Sequence, residues 1–134
     1  MRAVPGLLIV VAGVAAPLAA QSDSAGAAPA AATDPLLVTP QVYRGWKYFQ
    51  VYCARCHGDN AKGSMAAPDL TYSVSADGGV TVDSFTVMVR KGASTGEMRG
   101  FEDLLDAPLI EALYAYVKAR SEGGLAPGRP HPTP

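Results

Sequence analysis

Apolar side chains at the start of the folded region recur at helical spacing. Thr39 is suited to cap a helix and Pro40 to occupy its first position. The apolar residues that follow are separated by four, three and four positions, which places them on one face: Val42, Trp46, Phe49 and Cys53. The pattern predicts a first helix that runs from Thr39 into the cysteines.

Two further segments show the same periodicity. The second predicted helix begins near Thr81 and stops at Gly92, and its buried side consists of Phe85, Met88 and Val89. The third begins at Asp106, a capping residue, and ends before Gly123 with Lys118 and Arg120 in its last turns. Its apolar stripe consists of Leu109, Leu113, Tyr116 and Val117.

The segments between these helices predict loops. Residues 58–79 and 92–100 are rich in Gly, Ser, Asp and Pro, and neither contains a sustained alternation of apolar and polar positions. The sequence therefore predicts an all-α domain with three main helices and long loops. Loops of this length in so small a domain are expected to wrap something other than protein.

The chain is predicted to divide into four segments. Residues 1–20 carry one charge, an apolar run and then small residues, which is the layout of a signal peptide cleaved after Ala20. An uncleaved anchor is the alternative, but the apolar run between Pro5 and Pro17 is shorter than the ~18 residues that a spanning helix needs. Residues 21–35 are predicted to be a disordered Ala/Ser/Pro leader, residues 36–122 the folded domain, and residues 123–134 a Gly/Pro-rich tail in which prolines forbid a continuing helix. We therefore expect an exported, periplasmic protein without stable membrane insertion.

Charge and cysteine content exclude several classes of function. The formal net charge of the 134-residue chain is −1, and no run of basic residues is longer than two. This distribution lacks the basic footprint of a nucleic-acid binder. Two cysteines are also too few for a disulfide-rich scaffold.

The two cysteines belong to a motif with a specific chemistry. Cys53, Cys56 and His57 have the C-x-x-C-H spacing of c-type haem attachment, in which two sulfurs on one helical turn bond one porphyrin and the next residue supplies an imidazole. A zinc site would need a fourth ligand, and the other histidine is His131 in the tail. A thioredoxin-like pair would need a βαβ frame, which the pattern does not show. The motif predicts one covalently attached haem c, with His57 as a ligand to its iron.

Several residues could bind the opposite face of that iron. Met98 lies 41 residues after His57, in a loop between two predicted helices with enough chain to reach the far side. Met65 is only eight residues after His57, and Met88 is in register with the core side of the second helix. We favour Met98 as this ligand. The alternatives are His131 or an open position, and after them Met65. A thioether favours ferrous iron and raises the reduction potential.

Over essentially the whole domain the sequence resembles the class I c-type cytochromes. Gly45 and Phe49 stand eight and four residues before the first cysteine, as in that family, and Tyr116 matches an aromatic residue of its C-terminal helix. The resemblance implies that the first and last helices cross at these residues. It also implies that the carbonyl oxygen of Pro68 accepts the proton of the haem-ligating imidazole.

The ligand loop departs from the family at one position. Gly96, Met98 and Phe101 agree with the pattern G-x-M-P-x-F, but Arg99 replaces the proline. The resemblance therefore supports Met98 as a ligand and leaves the rigidity of its loop open.

Within the family the chain is similar to cytochromes that accept electrons from periplasmic quinoprotein (PQQ) alcohol dehydrogenases. The similarity lies in residues 44–49 and 52–60, and in residues 116–120 with 128–131. It implies a monomeric electron carrier between such a dehydrogenase and a terminal oxidase or another cytochrome, and not an enzyme. The alternatives are a haem enzyme or gas sensor with a labile sixth ligand, and a cytochrome subunit permanently bound to one enzyme complex.

Overall fold

Three helices form the frame of the domain, and a side chain caps each of them. The computed structural model describes residues 34–134, so the predicted signal peptide and residues 21–33 of the predicted leader lie outside the described residues. Helix α1 spans Pro40–Tyr52, and Thr39 accepts a hydrogen bond from its third residue. Two short helices follow, α2 (Ala54–His57) and α3 (Leu70–Ser73). Helix α4 spans Val82–Lys91 and α5 spans Ala107–Ser121.

The three long helices confirm the sequence-based boundaries. Thr81 caps α4, which ends at Gly92 with a φ of 86° that favours glycine. Asp106 caps α5 through a 2.9 Å bond from the backbone N–H of Leu109. The predicted all-α fold with three main helices is therefore confirmed. The short helices and two two-residue strands, β1 (Leu37–Val38) and β2 (His131–Pro132), are too short for a periodic pattern.

Helices α1 and α5 cross at a glycine. A Cβ atom built on Gly45 would lie 1.9 Å from the carbonyl oxygen of Ala112, so only glycine permits this approach. One turn further along α1, the rings of Phe49 and Tyr116 pack with centroids 5.1 Å apart, and both side chains are about 1% exposed. The crossing of Gly45, Phe49 and Tyr116 that the resemblance implied is confirmed.

Helix α4 buries a narrower stripe than its sequence predicts. Phe85 and Val89, four residues apart, are buried, and Phe85 packs edge-on against Tyr114 of α5. Met88 is 37% exposed, so its assignment to the core was wrong. The reason is geometric, because α4 packs mainly on α5 and Met88 lies at the margin of that contact.

The C-terminal tail packs on the domain. Leu125 and Pro130 are buried, and β2 pairs in parallel with β1, with Leu37 opposite His131. The backbone N–H of Ala126 donates to Pro35 O at 3.0 Å. The Gly/Pro-rich composition of residues 123–134 gave no indication of this packing. Within residues 34–134, no helix is long and apolar enough to cross a bilayer.

Candidate functional site

One helical turn brings the two cysteines and the histidine together. Helix α1 ends at Tyr52, and the carbonyl oxygen of Cys53 accepts hydrogen bonds from the N–H groups of Cys56 at 3.1 Å and of His57 at 2.9 Å. Cys53 is half-buried, Cys56 is exposed and His57 is buried. Burial, and secondarily the Cys56 sulfur, raises the pKa of the Cys53 thiol to about 12. Both sulfurs are free of a disulfide and belong to the same turn.

A hydrogen bond fixes which nitrogen of His57 carries the proton. Nδ1 of His57 lies 3.0 Å from the carbonyl oxygen of Pro68. A carbonyl oxygen can only accept, so Nδ1 must be the donor. In the neutral ring, Nε2 is then left with a free lone pair, which is the state that a metal-binding imidazole requires. The structure thus brings together His57 and Pro68, which are 11 residues apart.

The loop that presents Pro68 depends on residues that the sequence analysis did not single out. The N–H of Gly63 donates to His57 O at 2.8 Å, and the hydroxyl of Ser64 donates to Cys56 O. Gly63 has a φ of 78°, and a Cβ there would lie 2.6 Å from the backbone nitrogen of Asp69. Glycine is therefore required where this loop folds back beside Pro68.

Asp69 anchors the other side of the same loop. Its Oδ1 accepts hydrogen bonds from the backbone N–H groups of Thr71 at 2.8 Å and Tyr72 at 3.2 Å, and from the Thr71 hydroxyl at 2.7 Å. Desolvation raises the pKa of this carboxyl, but these hydrogen bonds and the nearby Lys62 outweigh it, so the pKa lies below its ordinary value. An aspartate directly after Pro68 was a capping signal that could have predicted α3.

Of the methionines in residues 34–134, Met98 is the one that packs against the core. It is half-buried, and its carbonyl oxygen accepts a hydrogen bond from the N–H of Ala93 at 3.0 Å. An antiparallel bridge between Gly92 and Arg99 closes the loop, and the Arg99 guanidinium lies 5.1 Å from the ring centre of Phe101. Backbone pairing and this cation–π contact therefore hold the loop without the family's proline.

The alternative ligands lie in different surroundings. Met65 is fully exposed in the loop before Pro68. His131 pairs with Asp34, with Nε2 3.0 Å from Oδ2, and its side chain is half-exposed. Neither side chain is packed as Met98 is. The donor set fits a c-type haem. It consists of two thiols on one turn, an imidazole whose Nε2 lone pair is free, and a half-buried thioether.

Comparison with known proteins agrees with this chemistry. A family model described as "Cytochrome C oxidase, cbb3-type, subunit III" matches residues 40–117. The chain is 37% identical over 93 residues to cytochrome c-555 of Methylococcus capsulatus, an alignment that covers 68% of this chain and 72% of that protein.

Two larger proteins contain a similar stretch. The chain is 37% identical over 78 residues to the dehydrogenase subunit of an alcohol dehydrogenase (quinone) from Komagataeibacter europaeus, covering 58% of this chain and 10% of that subunit. The crystal structure of the c-type cytochrome XoxG from Methylobacterium extorquens AM1 superposes with a TM-score of 0.67 at 25% identity, covering 76% of this chain and 64% of that one. The chain thus spans about a tenth of the dehydrogenase subunit and less than two thirds of XoxG.

Proposed function

The chain belongs to the cytochrome c family, and we propose that it is an exported electron carrier with a single haem. Membership of the family implies a covalently bound haem c, and the one C-x-x-C-H motif sets the number at one. Such a group supplies an iron that gains and loses one electron. The work of the protein is to hold that iron in one environment in both oxidation states.

One observation carries the proposal: the 3.0 Å hydrogen bond from His57 Nδ1 to Pro68 O. It fixes the tautomer and the direction of the ring, with Cys53 and Cys56 on the same turn for covalent attachment. We assign His57 and Met98 as the two iron ligands. With both positions filled by protein, a substrate has no place to bind the iron, which favours transfer of electrons over catalysis.

We propose a periplasmic quinoprotein alcohol dehydrogenase as the electron donor and a terminal oxidase as the acceptor. The donor is supported by the similarity to dehydrogenase subunits of alcohol dehydrogenases (quinone). The acceptor is supported by the name of the matching family model, and export by the predicted signal peptide in residues 1–20. Contacts between redox partners of this kind are small and transient, so we propose a monomer that diffuses between them.

Two measurements test the proposal. After expression with cytochrome c maturation machinery, a denaturing gel should show a haem-stained band for the wild type and none for the double variant Cys53→Ala, Cys56→Ala. The oxidised wild type should then be reduced by a purified quinoprotein alcohol dehydrogenase and its alcohol, and not by the alcohol alone. An unstained wild type contradicts haem attachment, whereas a stained protein that no such dehydrogenase reduces contradicts the donor.

A further inference from the structure

A buried arginine near the end of α5 forms no ion pair with any carboxylate of residues 34–134. Arg120 is 9% exposed, its Nη1 donates to the carbonyl oxygen of Leu125 at 2.7 Å, and its Nε donates to that of Asn60 at 3.4 Å. Among residues 34–134, none of the ion pairs within 4.0 Å involves this guanidinium. A buried charge held only by carbonyl groups costs folding free energy. A role besides packing is therefore expected.

The arginine belongs to a group of hydrogen bonds that holds the segment just after His57. Four donors from α1, α5 and the tail form hydrogen bonds to Asp59 and Asn60. The carbonyl oxygen of Asp59 accepts from Gln50 Nε2 at 2.9 Å and from the Tyr116 hydroxyl at 3.2 Å. The carbonyl oxygen of Asn60 accepts a hydrogen bond from Arg120, and the side-chain oxygen of Asn60 accepts one from the N–H of Gly128 at 3.1 Å.

The tail shields the guanidinium from water. Leu125, whose carbonyl oxygen accepts from Arg120, is 3% exposed. Further along the tail, the guanidinium of Arg129 lies 5.7 Å from the ring centre of Trp46, and β2 pairs with β1. The positive charge of Arg120 therefore lies in a low-dielectric region bounded by α5, the tail and the segment after His57, where it is weakly screened.

We propose that Arg120 is a positioning residue for electron transfer: it locks the segment after His57 to the C-terminal tail, and its buried charge raises the reduction potential of the haem site. This inference rests on the proposed function. Oxidation adds one positive charge to the site, so a poorly screened cation bonded to Asn60, three residues after His57, disfavours the oxidised state. The carboxylate of Asp59 is exposed and better screened, so it offsets this effect only in part.

The test is the reduction potential of the full-length, haem-loaded protein, measured by spectroelectrochemistry. Arg120→Gln removes the charge and should lower the potential, whereas Arg120→Lys keeps the charge and should lower it less. Leu125→Ala keeps the arginine but opens it to water, so it should also lower the potential. Arg90→Gln removes an exposed charge on α4 and is the matched control, with a smaller expected shift. In the same samples, the Gly128 amide should exchange hydrogen faster in Arg120→Gln.

The measured potentials either support or overturn the proposed role of Arg120. A folded Arg120→Gln protein whose potential equals that of the wild type, or shifts no more than Arg90→Gln, overturns the inference. If Arg120→Gln does not fold, a wild-type potential in Leu125→Ala overturns it equally. Should the wild type lack covalent haem, the proposed function and the inference fail together. A wild type that cycles reversibly while the variants do not shift refutes the inference alone.

Discussion

The crossing of α1 and α5 makes a sharp prediction for Gly45→Ala. The added Cβ would lie 1.9 Å from the backbone oxygen of Ala112 and 3.0 Å from the Cβ of Tyr116. Contacts below 3.0 Å essentially do not occur for a Cβ. The nearest atom belongs to the backbone of a helix, so no side chain can rotate away. The helices must instead move apart by about 1 Å, which is large for a well-packed helix pair.

The size of the effect follows from two opposing contributions. Forcing an extra methyl group into a packed interface costs about 1 to 3 kcal/mol, and more where the backbone must move. Alanine is preferred over glycine inside a helix by about 1 kcal/mol. The separation also loosens the packing of Phe49 on Tyr116, so we place the overpacking cost at or above the upper end of its range. The net loss in unfolding free energy is then about 2 kcal/mol or more.

Urea unfolding of the haem-loaded protein, followed by far-ultraviolet circular dichroism, measures this loss. Gly124→Ala is the matched control, because Gly124 has no positive φ and a Cβ there would meet only Ala119 O at 3.8 Å. We expect the control to remain within about 0.5 kcal/mol of the wild type. A Gly45→Ala protein as stable as its control would refute the close approach of the two helices.

Three further predictions concern the core, the loop before α3 and the ligand loop. Phe49→Ala should lower the unfolding free energy by about 3 to 5 kcal/mol in a urea titration, because the ring is fully buried; a loss below about 1 kcal/mol would place it at the surface. The unfolding free energy should fall as the pH drops below the ordinary pKa of an aspartate, because the folded state holds the Asp69 pKa lower than the unfolded state does, and Asp69→Asn should flatten this dependence; an unchanged acid titration of the urea midpoint would contradict that role. Met98→Ala should abolish the far-red charge-transfer band of the oxidised protein, whereas Met65→Ala should retain it; loss of the band in Met65→Ala alone would reverse the ligand assignment.

Local signals in the sequence were sufficient to predict the helical frame. Thr39, Thr81 and Asp106 each precede an apolar period of at least two turns, and each caps the helix predicted from it. The C-x-x-C-H motif is likewise local, because its three side chains belong to one turn. Periodicity was misleading at Met88, where the register is correct but the packed face is too narrow to include it.

Long-range contacts could not be predicted in this way. Arg120 in the last turns of α5 is the type of residue that pairs with a helix terminus at the surface, yet the tail and Asn60 bury it. The C-terminal tail pairs with Pro35 and with β1, which are far away in the sequence, and composition gave no indication of it. The position of Pro68 against His57 came only from resemblance to a family, because nothing in the spacing of the two residues implies a contact.

Carbon monoxide binding to the reduced protein at neutral pH tests the central claim most directly. We propose that two side chains, His57 and Met98, would both hold the iron, as a carrier requires and a gas sensor or haem enzyme does not. We therefore expect the spectrum of the wild type to be unchanged under carbon monoxide, whereas Met98→Ala should acquire the spectrum of a carbon monoxide complex. A carbon monoxide complex formed readily by the wild type would contradict the assignment of the protein as an electron carrier with fixed ligands.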